Sequence, residues 1–134
     1  MIGLGILPLA LAASPSCAQF TAGRPNFACL SDWQISDWIG FTTDETRSDV
    51  YMCQGLSRDA AMRMQRRMLG ADFGRRRAAT EALLQAGPPR PYDVPEDIVG
   101  TGHRLTPKYC RSIRFQITDL LRGQSELERR LRKN

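Results

Sequence analysis

The sequence predicts an all-α protein: a small helical domain of about four helices with a long Pro-rich connector, stabilised by one disulfide. Three observations predict it. Hydroxyl residues followed three positions later by Gln or Glu recur ahead of apolar runs. Apolar residues near the C-terminus repeat in steps of three and four. The cysteines follow a stretch shaped like an export signal. With 134 residues, 42% of them hydrophobic and 25% charged, the chain has the size of one domain, and its composition excludes wholesale disorder.

Residues 1–18 carry no charge, and residues 1–13 form an apolar run broken only by Gly3, Gly5 and Pro8. A helix of that length rises about 20 Å, short of the roughly 30 Å hydrocarbon core, so the run reads as a secretory signal and not as a membrane span. Pro15 ends it, and Ser16-Cys17-Ala18 supplies a small-x-small cleavage site. The expected cut follows Ala18, leaving one helical domain over residues 19–134. No Lys or Arg precedes the apolar run, a departure from the usual signal. A lipid anchor on Cys17 is the alternative, weakened by Ser14 where such sites usually carry Leu; only that anchor would bring the chain to a membrane. With Cys17 removed, Cys29, Cys53 and Cys110 remain, 24 and 57 residues apart, with no C-x-x-C pair. In an oxidising periplasmic or secreted setting they imply one disulfide and a spare thiol.

The elements follow in chain order. Ser31 and Gln34 fit a capping box, so a short helix is expected over residues 32–39, with Gly40 as its stop. Trp33 and Trp38 then lie about 140° apart, one packing inward and the other at an edge; a binding groove made of both is the sharper reading. Thr42 and Glu45 form a second capping-box candidate, with Asp44 beside the positive end of the dipole and Gly55 closing the segment. Ser57 starts a long middle helical segment. Ala61, Met64, Met68 and Ala71 make its apolar stripe, which Ala78, Ala82 and Leu83 continue. Gly70 and Gly74 predict a kink or break. The methionines read as adaptable core filler.

Residues 87–106 are a Pro/Gly-rich connector with four prolines between positions 88 and 95. About 60 Å of extended chain could return past the preceding helices, laying the last helix parallel to the middle one. Thr106 caps that last helix and Pro107 takes its first position, giving an amphipathic helix over 107–132. Cys110, Ile113, Ile117, Leu120, Gln124, Leu127 and Leu131 form a heptad seam, either the helix's own core face or, through Ile117 to Leu131, a homodimer contact. Parallel helices would bring Cys53 and Cys110 to one end, so this pair is preferred over Cys29–Cys53 and Cys29–Cys110. The closed loop would be worth about 4 kcal/mol on the chain-entropy account.

Charge is uneven. Residues 61–90 hold seven basic and two acidic residues, against three and six over 19–60, and 17 of the 19 basic residues are Arg. Arg63, Arg66, Arg67, Arg75, Arg76 and Arg77 are the candidate surface for an acidic partner, with salt-dependent attraction. A genome that favours Arg over Lys would write the same run. No aromatic stacking pattern accompanies the arginines, so no specific nucleic acid is expected.

Catalytic and metal-binding patterns are sparse. His103 is the one histidine; a nucleophile built from it with Cys110 or Cys29 is the enzyme alternative. Three cysteines and one histidine lack the close pair that nucleates a zinc site, and Asp93, Glu96 and Asp97 lack calcium-loop spacing. Asp72-Phe73-Gly74 shares only its letters with a kinase motif. No cofactor is implied. The expectation is a non-enzymatic exported protein that binds a protein or an acidic surface, or else an accessory subunit of an envelope complex.

Overall fold

The computed structural model describes residues 17–90 and 106–133. The all-α class holds, with four helices of at least 12 residues, one single-turn helix and a small hairpin among the described residues. The hairpin is unanticipated: β1 (Phe20–Thr21) pairs antiparallel with β2 (Arg24–Pro25). Ala22 at φ 53° and Gly23 at φ 77° make the turn, the pair of positive φ values that a tight two-residue hairpin requires.

After a 3-10 turn (Phe27–Cys29) comes α1 (Asp32–Gln54), opened by the expected capping box. Ser31 Oγ accepts from Gln34 N at 3.2 Å and Gln34 Oε1 accepts from Ser31 N at 2.9 Å. The helix does not stop at Gly40; it runs 23 residues to a left-handed Gly55. Ile35, Trp38, Ile39, Thr42, Thr46, Asp49 and Val50 hold one buried face across the expected break. Gly40 serves contact and not termination, because a Cβ there would lie 3.0 Å from Arg77 Nη2. Thr42 caps nothing; it is buried in mid-helix, and its neighbour Thr43 donates its hydroxyl to Ile39 O at 2.6 Å.

The middle segment is two helices, α2 (Arg58–Leu69) and α3 (Phe73–Ala86), broken at Gly70 with φ 96°. The break resets the helical phase. Ala61, Met64 and Met68 face the core as expected, but Ala71, Ala78, Ala82 and Leu83 are exposed, and α3 instead buries Phe73, Thr80 and Leu84. The C-terminal helix is also divided: α4 (Pro107–Arg111), capped by Thr106, and α5 (Ile113–Arg132), which meet at Ser112. There Ser112 N and Oγ both donate to Tyr109 O, at 2.8 and 2.6 Å.

Of the middle segment, α2 runs in the same direction as the last helix, as expected, being antiparallel to α1 with Arg58 at Tyr51 and Gln65 at Thr43. In contrast, α3 runs against the last helix, with Arg76 at Glu128 and Thr80 at Gln124. The last helix is antiparallel to α1. Arg130 meets Asp32, a Cβ on Gly123 would meet the Trp38 and Phe27 rings, and Gln116 meets Thr46. Tyr109 then meets Asp49, at the opposite end of α1. Antiparallel packing brings the end of α1 to the start of α4–α5, and Cys53 and Cys110 are disulfide-bonded there. A second disulfide, Cys17–Cys29, corrects the single-disulfide expectation and leaves no spare thiol. It also ties Cys17 into the fold, where a cut after Ala18 would have discarded it.

The seam of α5 lies inside the molecule. Ile117, Leu120, Gln124 and Leu127 are buried against the chain's own helices, and Leu131 is packed at their edge. A homodimer through those side chains has no free seam to use. Residues 1–16, most of the connector, His103, and the acidic group Asp93, Glu96 and Asp97 lie outside the described residues. No described helix is long and apolar enough to cross a membrane.

Candidate binding surface

The six candidate arginines separate into two groups. Arg76 is clamped by Glu128 through two bonds, Nε to Oε2 at 2.8 Å and Nη2 to Oε1 at 2.6 Å, with Ser125 Oγ at 3.4 Å. This pair raises the Arg76 pKa and lowers that of Glu128. Arg77 donates to Glu81 at 2.9 Å and lies against Gly40, and Arg75 pairs with Asp72 at 3.3 Å. The run on α3 is therefore matched internally. Arg63, Arg66 and Arg67, on the outer face of α2, are exposed and make no ion pair among the described residues.

A groove lies between α1 and α2. Asp44, Arg47, Ser48, Tyr51, Met52, Arg58, Ala61 and Met62 line a depression of about 590 Å³. A second depression of about 370 Å³ shares Arg47 and Met62 and continues past Arg66 to Phe73 and Arg77. Tyr51, Met52 and Met62 are 38%, 46% and 47% exposed, so half of the large exposed apolar side chains among the described residues stand in this groove. The Arg58 guanidinium lies 5.9 Å from the centre of the Tyr51 ring. Sequence reasoning missed these three residues, because helical spacing alone does not tell an exposed Met from a core one. Met62 next to Arg63 and Arg66 on one helix was the available signal.

The tryptophans do not form a groove together. Trp38 is buried edge-on against Phe27, with ring centres 5.4 Å apart. Trp33 is half-buried beneath the Arg90 guanidinium, which also pairs with Asp37.

Two other depressions flank the hairpin, but their charges are matched across short distances. One, about 510 Å³, holds Arg24, Glu45, Phe115, Gln116 and Asp119. Arg24 clasps the buried Asp119 at 3.0 and 2.7 Å and covers the Phe115 ring. The other, about 760 Å³, runs between Pro25–Ala28 and the Leu121–Arg129 face of α5; there Glu126 pairs with Arg129 and Arg130. Deeper in, Tyr109 donates to the buried Asp49 at 2.6 Å and accepts from Gln116 at 3.3 Å. Burial and the Asp49 carboxylate push the Tyr109 hydroxyl well above its ordinary value, so it stays protonated as a donor.

For the enzyme alternative, the sulfurs of Cys29 and Cys110 are both engaged in disulfides, which leaves neither as a thiolate. No group of three or more His, Cys, Asp or Glu side chains suited to a metal ion occurs among the described residues. In the α1–α2 groove, exposed apolar side chains stand with Arg58, and Arg66 lines the adjoining depression; neither arginine forms an ion pair among the described residues, whereas Arg47 is paired with Asp44. No family model, curated protein or solved structure matches this chain.

Proposed function

We propose that this is an exported, non-enzymatic helical protein that acts by binding, and that the α1–α2 groove takes an acidic, amphipathic polypeptide segment. Apolar side chains of the partner would cover Tyr51, Met52 and Met62, and its carboxylates would meet Arg58, Arg63, Arg66 and Arg67. The observation that carries this reading is that the exposed Tyr51, Met52 and Met62 stand with Arg58 in the groove, and Arg66 lines the depression adjoining it, neither arginine forming an ion pair among the described residues. Guanidinium groups left without internal carboxylates suit planar, two-point recognition of a carboxylate. Methionine is the side chain best able to remould around a partner's apolar face, as in helix-in-groove recognition. Two disulfides point to an oxidising, non-cytoplasmic compartment, and a periplasmic or secreted location is the form of it proposed here.

The test is a photo-cross-linking residue in place of Met62, compared with one in place of Leu83, which is exposed on α3 outside the groove. In cells that naturally make the protein, the Met62 position should yield a discrete adduct and the Leu83 position none. Purified partner should then bind at least tenfold more weakly to the Arg63→Glu/Arg66→Glu/Arg67→Glu protein, a change of about 1.4 kcal/mol. Raising the salt should weaken the wild-type complex and leave the variant unchanged. Adducts from Leu83 alone, or a partner indifferent to charge reversal, would reject the groove.

A further inference from the structure

We infer that Met52 and Met62 are oxidation sites, and that conversion of their thioethers to sulfoxides by a peroxide releases the partner of the α1–α2 groove. This inference rests on the groove reading and adds its regulation. The described methionines divide by position. Met52, in the last turn of α1, and Met62, on α2, are 46% and 47% exposed, and both line the same depression with Tyr51 and Arg58. Met64 and Met68 are only partly exposed and pack against the core. No thiol competes for the oxidant among the described residues, because Cys17 is bonded to Cys29 and Cys53 to Cys110. The same disulfides point to an oxidising, non-cytoplasmic compartment, and there the exposed thioethers are the most readily oxidised sulfurs the described surface presents.

With hydrogen peroxide as the oxidant, the thioether sulfur attacks one peroxide oxygen. The O–O bond breaks, an S–O bond forms and the sulfur gives up two electrons. The second oxygen leaves as hydroxide, takes the proton from the sulfur-bound oxygen and becomes water. A thiol-dependent sulfoxide reductase reverses the step: the sulfoxide oxygen departs as water while two thiols join in one disulfide. The change acts on the groove in two ways. A sulfoxide is polar, so the apolar face of a partner laid over Met52 and Met62 would cover acceptors for which it has no donors. The Met62 sulfoxide would also stand one helical turn from Arg58, at the i, i+4 spacing that makes side chains neighbours. Its oxygen can accept from that guanidinium, drawing the positive charge away from a partner carboxylate. Neither effect reaches the core, because both side chains stand exposed in the groove.

The test treats the disulfide-bonded chain with hydrogen peroxide and reads each described methionine by peptide mapping. Met52 and Met62 should each gain one oxygen about tenfold faster than Met64 and Met68. Equal rates, or Met64 and Met68 reacting first, would overturn the inference. Groove binding is then read by fluorescence titration with anilinonaphthalene sulfonate, whose apolar rings and single anionic group share the chemistry of the proposed partner. Oxidation should weaken dye binding about fivefold while the urea midpoint holds. Undiminished binding, or weaker binding with a lower midpoint, would count against it. In the Met52→Leu/Met62→Leu protein, whatever its starting affinity, peroxide should leave dye binding as it was; a response equal to that of the wild type would place the effect elsewhere and overturn the assignment. Failure of the groove reading looks different. An untreated protein that binds no dye, with Met52 and Met62 still the first to oxidise, would defeat that reading and the regulation built on it.

Discussion

Arg130 shows how one side chain in the last helix closes the opposite end of the molecule. Its guanidinium donates to Leu30 O at 2.7 Å, Phe27 O at 2.6 Å, Asp32 Oδ1 at 3.2 Å and Glu126 Oε2 at 2.8 Å. It thereby adds a second donor to Phe27 O, which already accepts from Leu30 N at 3.1 Å, and supplies one to Leu30 O just beyond the 3-10 turn. Lysine, a point charge without the planar fork, would not reproduce that set. Glu126 is held by the same cluster, and hydrogen bonds from Arg129 and then Arg130 lower its pKa from 4.5 to about 2. In the unfolded chain Glu126 takes up its proton near the ordinary value, whereas in the fold it resists until much lower pH. The ion-pair cluster therefore stabilises fully above the ordinary value, and its contribution declines as the pH falls through the window from 4.5 to about 2. Glu126→Gln should lower stability at neutral pH and make its loss across that window shallower. Urea unfolding at a series of pH values measures both, and parallel curves for the two proteins would contradict the assignment.

Among the elements, α1 and α5 define the fold, and their close approach depends on a glycine that spacing does not reveal. Gly123 is buried, and a Cβ there would sit 2.9 Å from two Phe27 ring carbons and 3.3 Å from the Trp38 ring. Both rings are buried, so neither can swing clear. Gly74, near the start of α3, has nothing within 4 Å of the same position. The two substitutions to alanine should therefore have opposite signs. Gly123→Ala should destabilise by about 1–3 kcal/mol through overpacking. Gly74→Ala should stabilise by about 0.4–1 kcal/mol by restricting the unfolded chain. Denaturant midpoints with unchanged m-values would measure both. Glycine's ambiguity also limited what could be read beforehand. Gly40, Gly55, Gly70 and Gly123 look alike as letters, yet Gly55 and Gly70 end helices at positive φ while Gly40 and Gly123 sit within helices against neighbours. The caps at Ser31, Ser57 and Thr106 were legible because each depends on a local hydroxyl-to-backbone bond. The α3 face was not, because the break at Gly70 shifts the helical phase by an amount no periodicity carries across.

For the whole molecule, the sequence discloses the quantity of positive charge but not how much of it is already matched. Carboxylates distant along the chain decide that: Glu128 is 52 residues from Arg76, and Asp119 is 95 from Arg24. A run such as Arg75-Arg76-Arg77 is the most conspicuous basic feature of the sequence, yet folding matches it with Asp72, Glu128 and Glu81. Arg63, Arg66 and Arg67 are less conspicuous and form no ion pair among the described residues. This division predicts a clean separation of effects. Arg76→Ala leaves Glu128, about a quarter exposed, without its two-point partner, and should destabilise by about 1–3 kcal/mol. Arg66→Ala removes an exposed side chain with no ion pair among the described residues and should change stability by no more than about 0.5 kcal/mol. Binding at the groove should respond in the opposite order, with Arg66→Ala weakening it and Arg76→Ala leaving it intact wherever the variant remains folded. Urea midpoints and partner titrations on the same two proteins supply all four values. If Arg66→Ala proved the more destabilising of the two, or Arg76→Ala the more damaging to binding, the assignment of structural arginines to α3 and recognition arginines to α2 would have to be reversed.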